Sequence, residues 1–303
     1  DILRLWVSSS DFKSDVRVSR DILKQLSEVY RKIRNTIRYM LGNCFDFDPT
    51  VDAIAYESLD ELDRYALHRL QVLVERVSRA YNDFDFHVVF HAIHNFCVIE
   101  MSNFYLDVLK DRLYTFAAGS AARRSAQTAL YEILVTLIKL IAPVLTFTSE
   151  EAWSYLPVKD VESVQLADWP QVKEAYKDEA LAARWESLLS YRDVVTQRLE
   201  VARKEKVIGS SLAAALDLYP DASAYEALLP FKDRLAELFI VSACTLHQPG
   251  NVPADVPVVQ GLAVAVSKAE GEKCERCWMI HPQLGNDPDH PTICPRCTEN
   301  ITA

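Results

Sequence analysis

The sequence predicts a mainly α protein in which an antiparallel helical bundle is followed by a small α+β junction domain and a four-cysteine zinc finger. Three observations support this fold class. Apolar residues recur every three or four positions in the first half, alternating apolar runs appear in the second half, and two Cys-x2-Cys pairs lie near the C-terminus. We expect the three domains at residues 1–157, 158–267 and 268–303.

Four long helices are predicted in the first half because each segment has one apolar face. These segments are residues 23–40, 62–80, 86–97 and 130–141. Gly42 closes the first segment and Pro143 breaks the last one, as these residue types do at helix C-termini. Brief connections between successive helices indicate an antiparallel bundle.

Two shorter helices complete the predicted bundle. The first covers residues 103–114, and the second covers residues 150–155 behind a cap formed by Thr148 or Ser149. The residues after Pro157 change in character, so we expect the bundle to end near that proline.

The second half predicts a long amphipathic helix at residues 180–206, which the Gly-Ser-Ser turn at 209–211 stops. A further helix is expected at 222–236. Three strands are predicted from runs of apolar residues, namely 212–219, 238–246 and 256–266. A small α+β domain is therefore expected ahead of the C-terminal cysteines.

The two Cys-x2-Cys pairs predict a metal site. Cys274 and Cys277 are separated by sixteen residues from Cys294 and Cys297, which is the spacing of a four-thiolate zinc site. Four thiolates fill the tetrahedral shell of Zn²⁺, so the predicted role of this single ion is structural. A bound ion also explains how so short and polar a segment folds. The alternatives are two disulfides or four unrelated core cysteines.

Composition and charge limit the classes of partner. No signal peptide opens the chain and no apolar run is long enough to span a bilayer, so we expect a cytoplasmic protein that does not enter a membrane. The other cysteines, Cys44, Cys97 and Cys244, sit singly in apolar stretches and are expected to be buried. The net charge of −10 argues against nucleic acid as a partner of the whole surface.

One predicted helix departs from this acidic average. Seven basic and two acidic residues lie between Arg17 and Arg38, a balance of +5. Along the helix, Lys24, Arg31 and Arg38 are seven positions apart and Arg34 fills the gap, so these side chains share one ribbon. Such a ribbon suits a phosphate backbone, and guanidinium groups also stack on unpaired bases. The alternative is an ordinary solvated helix face.

Two further constellations carry weaker predictions. His87, His91 and His94 could ligate a metal from one helix face, but no Glu base accompanies them and a partly exposed histidine face is favoured. Trp278, directly after Cys277, could stack on a splayed base; the alternative is that it packs the finger onto the body. Signatures of catalysis are missing: there is no Gly-rich phosphate loop, no GxSxG and no HExxH in the sequence.

Several segments resemble the region that follows the catalytic domain in bacterial isoleucyl-tRNA synthetases. They are DILRLW at 1–6, DVRVS at 15–19, YRKIRNTIR at 30–38, NFYLDVLKDRLY at 103–114, RSAQT at 124–128, IAPVLTFTSEEAW at 141–153, ARKEKVIGSSL at 202–212 and the KCERCW…HPTICPRC tail. The resemblance covers essentially the whole chain. The four-cysteine tail and the KVIGSSL segment favour the isoleucyl enzyme over its valyl and leucyl relatives.

The resemblance implies a class I ligase that joins isoleucine to its tRNA through an ATP-derived aminoacyl-adenylate and hydrolyses mischarged valine. The HIGH and KMSKS motifs that handle ATP do not occur in this sequence. The resemblance therefore implies a C-terminal part of the enzyme that is not itself catalytic and does not bind ATP. It implies a helical anticodon-binding domain at 1–157, a monomer, and isoleucine tRNA as partner. The implied site residues are the zinc ligands Cys274, Cys277, Cys294 and Cys297, and the tRNA contacts Arg31, Arg34, Arg38 and Trp278.

Two alternatives from other functional classes stay open on the sequence. One is a DNA-binding zinc-finger protein, because a similar finger ends some base-excision glycosylases. The other is a helical interaction scaffold. Neither explains the matched segments in the first 212 residues.

Overall fold

The computed structural model describes residues 1–302, which form two compact units. The first unit comprises Asp1–Leu113 and Ala118–Asp178, and the second comprises Tyr114–Ala117 and the residues from Glu179 onward. The predicted fold class is confirmed, because the chain is mainly helical with a small sheet and a four-cysteine cluster near the C-terminus. No helix in residues 1–302 combines the length and the apolar character needed to cross a bilayer.

The first unit is a helical bundle. Its α-helices are α1 Ile2–Ser9, α2 Arg20–Asn43, α3 Glu61–Asn82, α4 Phe86–Asn95, α5 Leu106–Thr115, α6 Ala121–Ile141 and α7 Thr146–Ser154. The last two residues of α5, Tyr114 and Thr115, belong to the second unit. A π-helix, Phe96–Tyr105, joins α4 to α5, and short 3₁₀ turns lie at Tyr56–Ser58, Val164–Leu166 and Glu174–Tyr176. Caps fix several starts: the side chains of Ser19, Asp60 and Ser120 accept hydrogen bonds from backbone N–H groups in the first turns of α2, α3 and α6.

Helix α6 lies at the centre of the bundle. Most of its residues from Ser125 to Ile141 are buried, which follows from an apolar sequence that leaves little of the helix for solvent. A buried polar network holds its start against the neighbouring helices. The carboxylate of Asp63 on α3 accepts from Arg112 on α5 at 3.0 and 3.2 Å, from Tyr105 at 2.8 Å and from Ser125 on α6 at 2.6 Å. The buried charges are therefore paired and hydrogen-bonded.

Three details of the predicted bundle differ from the structure. The expected helices at 86–97 and 103–114 form one helical run, because the π-helix bridges them. The expected cap at Thr148 or Ser149 is wrong: α7 begins at Thr146, and both side chains are buried inside the helix. Helix α1 was not expected, since its eight residues are too few to show a helical period.

The segment 158–178 packs on α3. Trp169 donates its indole N–H to Ser78 at 2.8 Å, and the backbone N–H of Lys173 donates to Gln71 at 2.8 Å. Further along, the backbone N–H of Asp178 donates to Nδ1 of His68 at 3.0 Å. These bonds explain why the segment belongs to the first compact unit. The division into three domains at 157 and 267 stays a prediction.

The second unit begins with the long helix α8, Glu179–Lys204. A four-stranded sheet follows in the order β2-β1-β4-β3, made of β1 Ala214–Pro220, β2 Ala243–Leu246, β3 Val258–Val259 and β4 Leu262–Lys268. Strand β1 runs parallel to β2 and antiparallel to β4. Helices α9 Ala222–Leu228 and α10 Leu235–Phe239 flank a 3₁₀ turn at Leu229–Arg234, and another 3₁₀ turn lies at Ser211–Ala213. Strand β2 begins later than expected, because α10 occupies the first part of the predicted strand.

The C-terminal finger consists of a small hairpin and a helix. The hairpin pairs β5 Glu272–Lys273 with β6 Ile280–His281, and the helix is α11 Pro295–Thr302. Gly271 precedes β5 at φ +108°, and a Cβ there would lie 2.4 Å from the carbonyl of His281. Only glycine allows the chain to start the hairpin this close to the opposite strand.

Candidate metal centre and nucleic-acid interface

The four predicted ligands converge on one point in the second unit. Their sulfur atoms all lie within 4.8 Å of one another, and the Sγ atoms of Cys277 and Cys294 are 3.8 Å apart. A tetrahedron with Zn–S bonds of about 2.3 Å has sulfur–sulfur edges of about 3.8 Å. Cys274, Cys294 and Cys297 are buried and Cys277 is partly buried, so the centre is closed to solvent. The cluster fits a structural zinc ion, whereas the predicted alternatives require two separate sulfur pairs or four scattered cysteines.

Local backbone structure aims the sulfurs inward. In the first knuckle, the N–H of Trp278 donates to the carbonyl of Cys274 at 3.0 Å, and the N–H of Cys274 donates to Met279 at 2.9 Å. In the second knuckle, Cys294 stands just before α11, and Cys297 lies on its first turn. The hairpin and the helix N-terminus thus each hold one Cys-x2-Cys pair.

The knuckle backbone also stabilises a thiolate. Burial works to raise the pKa of the Cys274 thiol, but backbone N–H groups of Cys277, Cys294 and Arg276 point at its sulfur and lower the pKa to about 6. One of these bonds, from the N–H of Cys294, measures 3.3 Å. Burial raises the pKa of Cys277 to about 11, and burial with the neighbouring Cys277 sulfur also raises the pKa of Cys297. Four thiolates at this spacing need a cation between them.

The other candidate ligands do not form a second metal site. Within residues 1–302, the cysteine cluster is the sole group of three or more convergent His, Cys, Asp or Glu ligands. His94 instead stacks on Phe90 with the ring centroids 6.2 Å apart. Burial raises the pKa of both Cys44 and Cys97 to about 12, which suits inert core thiols.

The cationic face of α2 is exposed in the first unit. Lys24, Arg31 and Arg38 are exposed and Arg34 is half-buried, while the apolar face made by Leu26, Ile33, Ile37 and Met40 is buried. Arg31 forms an ion pair with Glu28, and Arg34 contacts Glu151 on α7 at 3.3 Å. In the described part of the chain, residues 1–302, neither Lys24 nor Arg38 forms an ion pair. Two of the four cations therefore have no competing carboxylate.

Trp278 lies in the second unit and is 61% exposed. Its φ is +66°, a left-handed conformation that costs a bulky residue free energy. The ammonium group of Lys273 lies 5.0 Å from the centre of the ring. The neighbouring Arg276 donates to the carbonyl of Thr115 at 3.1 Å, so its guanidinium is held by backbone. The large exposed fraction weighs against packing as the reason for an indole at this position.

Three residues beside the cationic face escaped the sequence-based prediction. Phe45 and Tyr155 are 80% and 70% exposed, and Glu151 pairs with Arg34. Phe45 lies two residues after the end of α2, and Tyr155 directly follows α7. An aromatic residue just beyond a helix end is a weak signal, because such residues usually pack back onto the core.

Two families match this chain. The family described as "Anticodon-binding domain of tRNA ligase" matches residues 63–218, and the family described as "Zinc finger found in FPG and IleRS" matches residues 271–300. The second match contains all four cysteines of the cluster. The first match covers more than half of the chain.

Curated relatives are similar to nearly the whole chain. The isoleucine–tRNA ligase of Moorella thermoacetica is 53% identical over 303 residues, 98% of this chain and 33% of that protein. Those of Desulforamulus reducens and Bacillus cereus are 51% and 50% identical, again over 98% of this chain and 32% of each protein. The chain thus spans about a third of the length of these relatives.

Among solved structures, the chain resembles an Agrobacterium radiobacter K84 agnB2 LeuRS in a ternary complex with tRNA and LeuAMS. The TM-score is 0.42 and the identity 15%, over 58% of this chain and 20% of that one, which is too little likeness to support an argument. The chain belongs to the anticodon-binding domain family of tRNA ligases and carries, at residues 271–300, the zinc finger found in FPG and IleRS.

Proposed function

We propose that this chain is the tRNA-binding part of an isoleucine–tRNA ligase and that it holds the anticodon stem-loop of isoleucine tRNA. The observation that carries the proposal is the exposed cationic face of α2 in a chain of the anticodon-binding family. Relatives of about 50% identity that are named isoleucine–tRNA ligase support isoleucine tRNA as the partner. The chain would act as a monomer in the cytoplasm.

The arginines of α2 contact the RNA backbone and unpaired bases. Arg38 is available at once, because no carboxylate pairs with it in residues 1–302. Arg31 and Arg34 exchange their carboxylate partners for phosphate, since exposed ion pairs contribute only about 0–1 kcal/mol. A guanidinium fork matches a phosphate in two hydrogen bonds, which fixes orientation as well as adding affinity.

Trp278 contributes a stacking surface from the finger. The indole is 61% exposed, so a stacking partner would bury apolar surface that the free protein leaves in water. Stacking on an unpaired base buries the ring without demanding a particular base. The four cysteines hold zinc, which when bound supplies a tetrahedral centre that fixes both knuckles and leaves no open position for catalysis.

Bond-making belongs to another part of the proposed enzyme. Activation of isoleucine by ATP and transfer to tRNA require residues that this chain does not contribute. Its own part is positioning: binding energy released at the anticodon holds the distant acceptor end in register for reaction. On this proposal the helical residues 1–157 grip one part of the stem-loop and the finger at 268–303 another, with 158–267 as the junction.

Competition binding tests the proposal against its alternatives. Labelled isoleucine tRNA is bound to the 303-residue chain on filters, and unlabelled tRNA or duplex DNA of the same length is added. We expect tRNA to compete and DNA to fail, with the logarithm of the affinity falling linearly with the logarithm of the salt concentration. Equal competition by duplex DNA would favour a DNA-binding zinc protein. No binding at low salt would indicate an interaction scaffold.

A further inference from the structure

We propose that the zinc finger and the segment Tyr114–Ala117 form a reciprocal clamp, in which bound zinc holds the segment in place and the segment strengthens the binding of zinc. The segment lies between α5 and α6, far from the cysteines in the sequence: Thr115 and Arg276 are 161 positions apart. The inference goes beyond the proposed function, because it concerns the chain and its metal and does not involve RNA.

The segment Tyr114–Ala117 packs with the finger. It belongs to the second compact unit, whereas the residues on either side of it, up to Leu113 and from Ala118 onward, belong to the first. Thr115 is only 5% exposed, and Phe116 and Ala117 are partly buried. A connection between two helices usually runs over the surface, so burial at three successive residues needs a partner.

Each Cys-x2-Cys knuckle contributes one arginine to this packing. Arg276 stands just before Cys277 in the first knuckle, and Arg296 stands just before Cys297 in the second. Arg276 donates to the carbonyl of Thr115 at 3.1 Å, and the guanidinium of Arg296 lies 5.6 Å from the centre of the Phe116 ring, within cation–π distance. Zinc joins the two knuckles, so it also fixes the spacing of the two arginines.

Helix α11 makes a third contact. The backbone N–H of Ala117 donates to the side-chain oxygen of Asn300 at 2.9 Å, and the side-chain amide of Asn300 donates to the carbonyl of Arg296 at 2.9 Å. Cys297 lies on the same helix, so the position of Asn300 depends on a metal that orders α11. Thr115, Phe116 and Ala117 are thus each held by a group that the zinc site places.

The ends of the segment are fixed independently of the finger. Arg123 on α6 donates to the carbonyls of Leu113 and Ala118, both at 3.2 Å, and all three residues belong to the first unit. A segment with fixed ends has few conformations to lose when it joins the finger, which lowers the entropy cost of the contact.

Linkage makes the effect reciprocal. If zinc favours the contact between the finger and the segment, the contact must favour zinc binding by the same factor. Substitutions at 115–117 or at the two arginines should therefore change zinc affinity, although none of these residues is a zinc ligand.

The first test measures zinc affinity in the full chain by competition with a chromogenic chelator. Phe116→Ala removes the ring under Arg296, Phe116→Tyr keeps a ring, and Arg276→Ala removes the donor to Thr115. The matched control is Tyr114→Ala, because Tyr114 is an aromatic residue of the same segment and is 57% exposed. Circular dichroism checks the fold of each variant.

We expect Phe116→Ala and Arg276→Ala each to weaken zinc binding by about tenfold, while Phe116→Tyr and Tyr114→Ala stay close to the native chain. Native zinc affinity in both Phe116→Ala and Arg276→Ala would overturn the clamp. An equal loss of affinity in Tyr114→Ala would also overturn it, because the effect would then be general destabilisation. If Phe116→Ala fails to fold, Arg276→Ala decides in the same way.

The second test follows the opposite direction of the clamp by hydrogen exchange at the amide of Ala117. We expect removal of zinc with a chelator to speed this exchange by at least about tenfold, and Asn300→Ala to do the same in the zinc-loaded chain. Glu299→Ala is the control, since Glu299 is the exposed neighbour of Asn300 on α11. Equal exchange at Ala117 with and without zinc would overturn the proposal, and the tRNA-binding function would stand.

Discussion

The Sγ atoms of Cys277 and Cys294 lie 3.8 Å apart although 17 positions separate these residues in the chain. Each belongs to a different knuckle, one at a hairpin and one at a helix N-terminus. The distance matches one edge of a zinc tetrathiolate, so the two knuckles are arranged for a shared ion. The finger therefore depends on a metal to hold its two halves together.

Substitution of a single cysteine ligand should release zinc from the finger. We expect Cys294→Ser to lose stoichiometric zinc and to disorder the hairpin and α11, because metal binding and folding of such a segment are one equilibrium. Cys244→Ser is the matched control, since Cys244 is a free thiol outside the cluster. Elemental analysis of the purified chains gives the zinc content. One zinc per chain in Cys294→Ser would contradict the ligand set.

Removal of Arg38 should weaken RNA binding through its charge. We expect Arg38→Ala to lower the affinity for tRNA and to reduce the slope of its salt dependence by about 0.7 to 0.9, the loss of one phosphate contact. Arg76→Ala is the control, because Arg76 is also an exposed arginine and lies on α3 of the same unit. Filter binding over a series of salt concentrations measures both quantities. Identical slopes for the two variants would exclude a specific role for Arg38.

A substitution of Trp278 separates the stability of the finger from its affinity for tRNA. Trp278→Gly relieves the left-handed strain but adds chain entropy to the unfolded state, so we expect the stability of the finger to change by less than about 1 kcal/mol. The affinity for tRNA should fall by about tenfold, because a stacking surface is lost. Anisotropy with labelled tRNA and thermal unfolding measure the two effects. If the finger of Trp278→Gly unfolds while its affinity for tRNA stays at the native value, Trp278 serves to pack the finger and does not bind RNA.

Asp46 anchors the turn that carries Phe45, and its carboxylate should make the stability of the first unit depend on pH. Burial works to raise its pKa, but hydrogen bonds from Arg123 and Gln127 and the charges of Arg123 and Arg124 hold the pKa below its usual value. A carboxyl whose pKa is lower in the folded state stabilises the fold above its unfolded pKa of about 3.9, and this contribution is lost as the pH falls through the folded pKa.

We therefore expect Asp46→Asn to destabilise the first unit by about 1–3 kcal/mol at pH 7, with a difference from the native chain that shrinks below about pH 4. Urea unfolding followed by circular dichroism measures the free energy at each pH. Asp168→Asn is a control, because Asp168 is an exposed carboxylate in the same unit. If the difference in unfolding free energy between the native chain and Asp46→Asn stayed constant from pH 7 down to about pH 2.5, the ion pair with Arg123 would not be the source of the destabilisation.

The zinc ligands and the long helices could be read from the sequence because both follow from spacing. Apolar positions at steps of three and four located α2, α3 and α6, and the two Cys-x2-Cys pairs located the metal centre. Local sequence signals predict helix ends less well where tertiary packing determines the end. Thr148 and Ser149 look like helix caps, but they are buried inside α7 because the helix starts earlier, at Thr146.

The groove between α2 and α7 could not be predicted, because its walls are distant in the chain. Arg34 and Glu151 are 117 positions apart, and no local pattern indicates that they meet. No sequence pattern singles out Phe45 and Tyr155, and the structure shows both exposed. The ribbon of cations on α2 was correctly placed on the solvent side, but the pairing of Arg34 with α7 required the fold.

The most direct test of anticodon recognition compares two RNAs that differ only in that triplet. The dissociation constants of the 303-residue chain are measured for isoleucine tRNA and for the same tRNA with its anticodon replaced, at one salt concentration. We expect the replacement to weaken binding by at least about tenfold, since each lost base contact costs about 1–3 kcal/mol. Equal affinity for the two tRNAs would contradict the claim that this chain reads the anticodon.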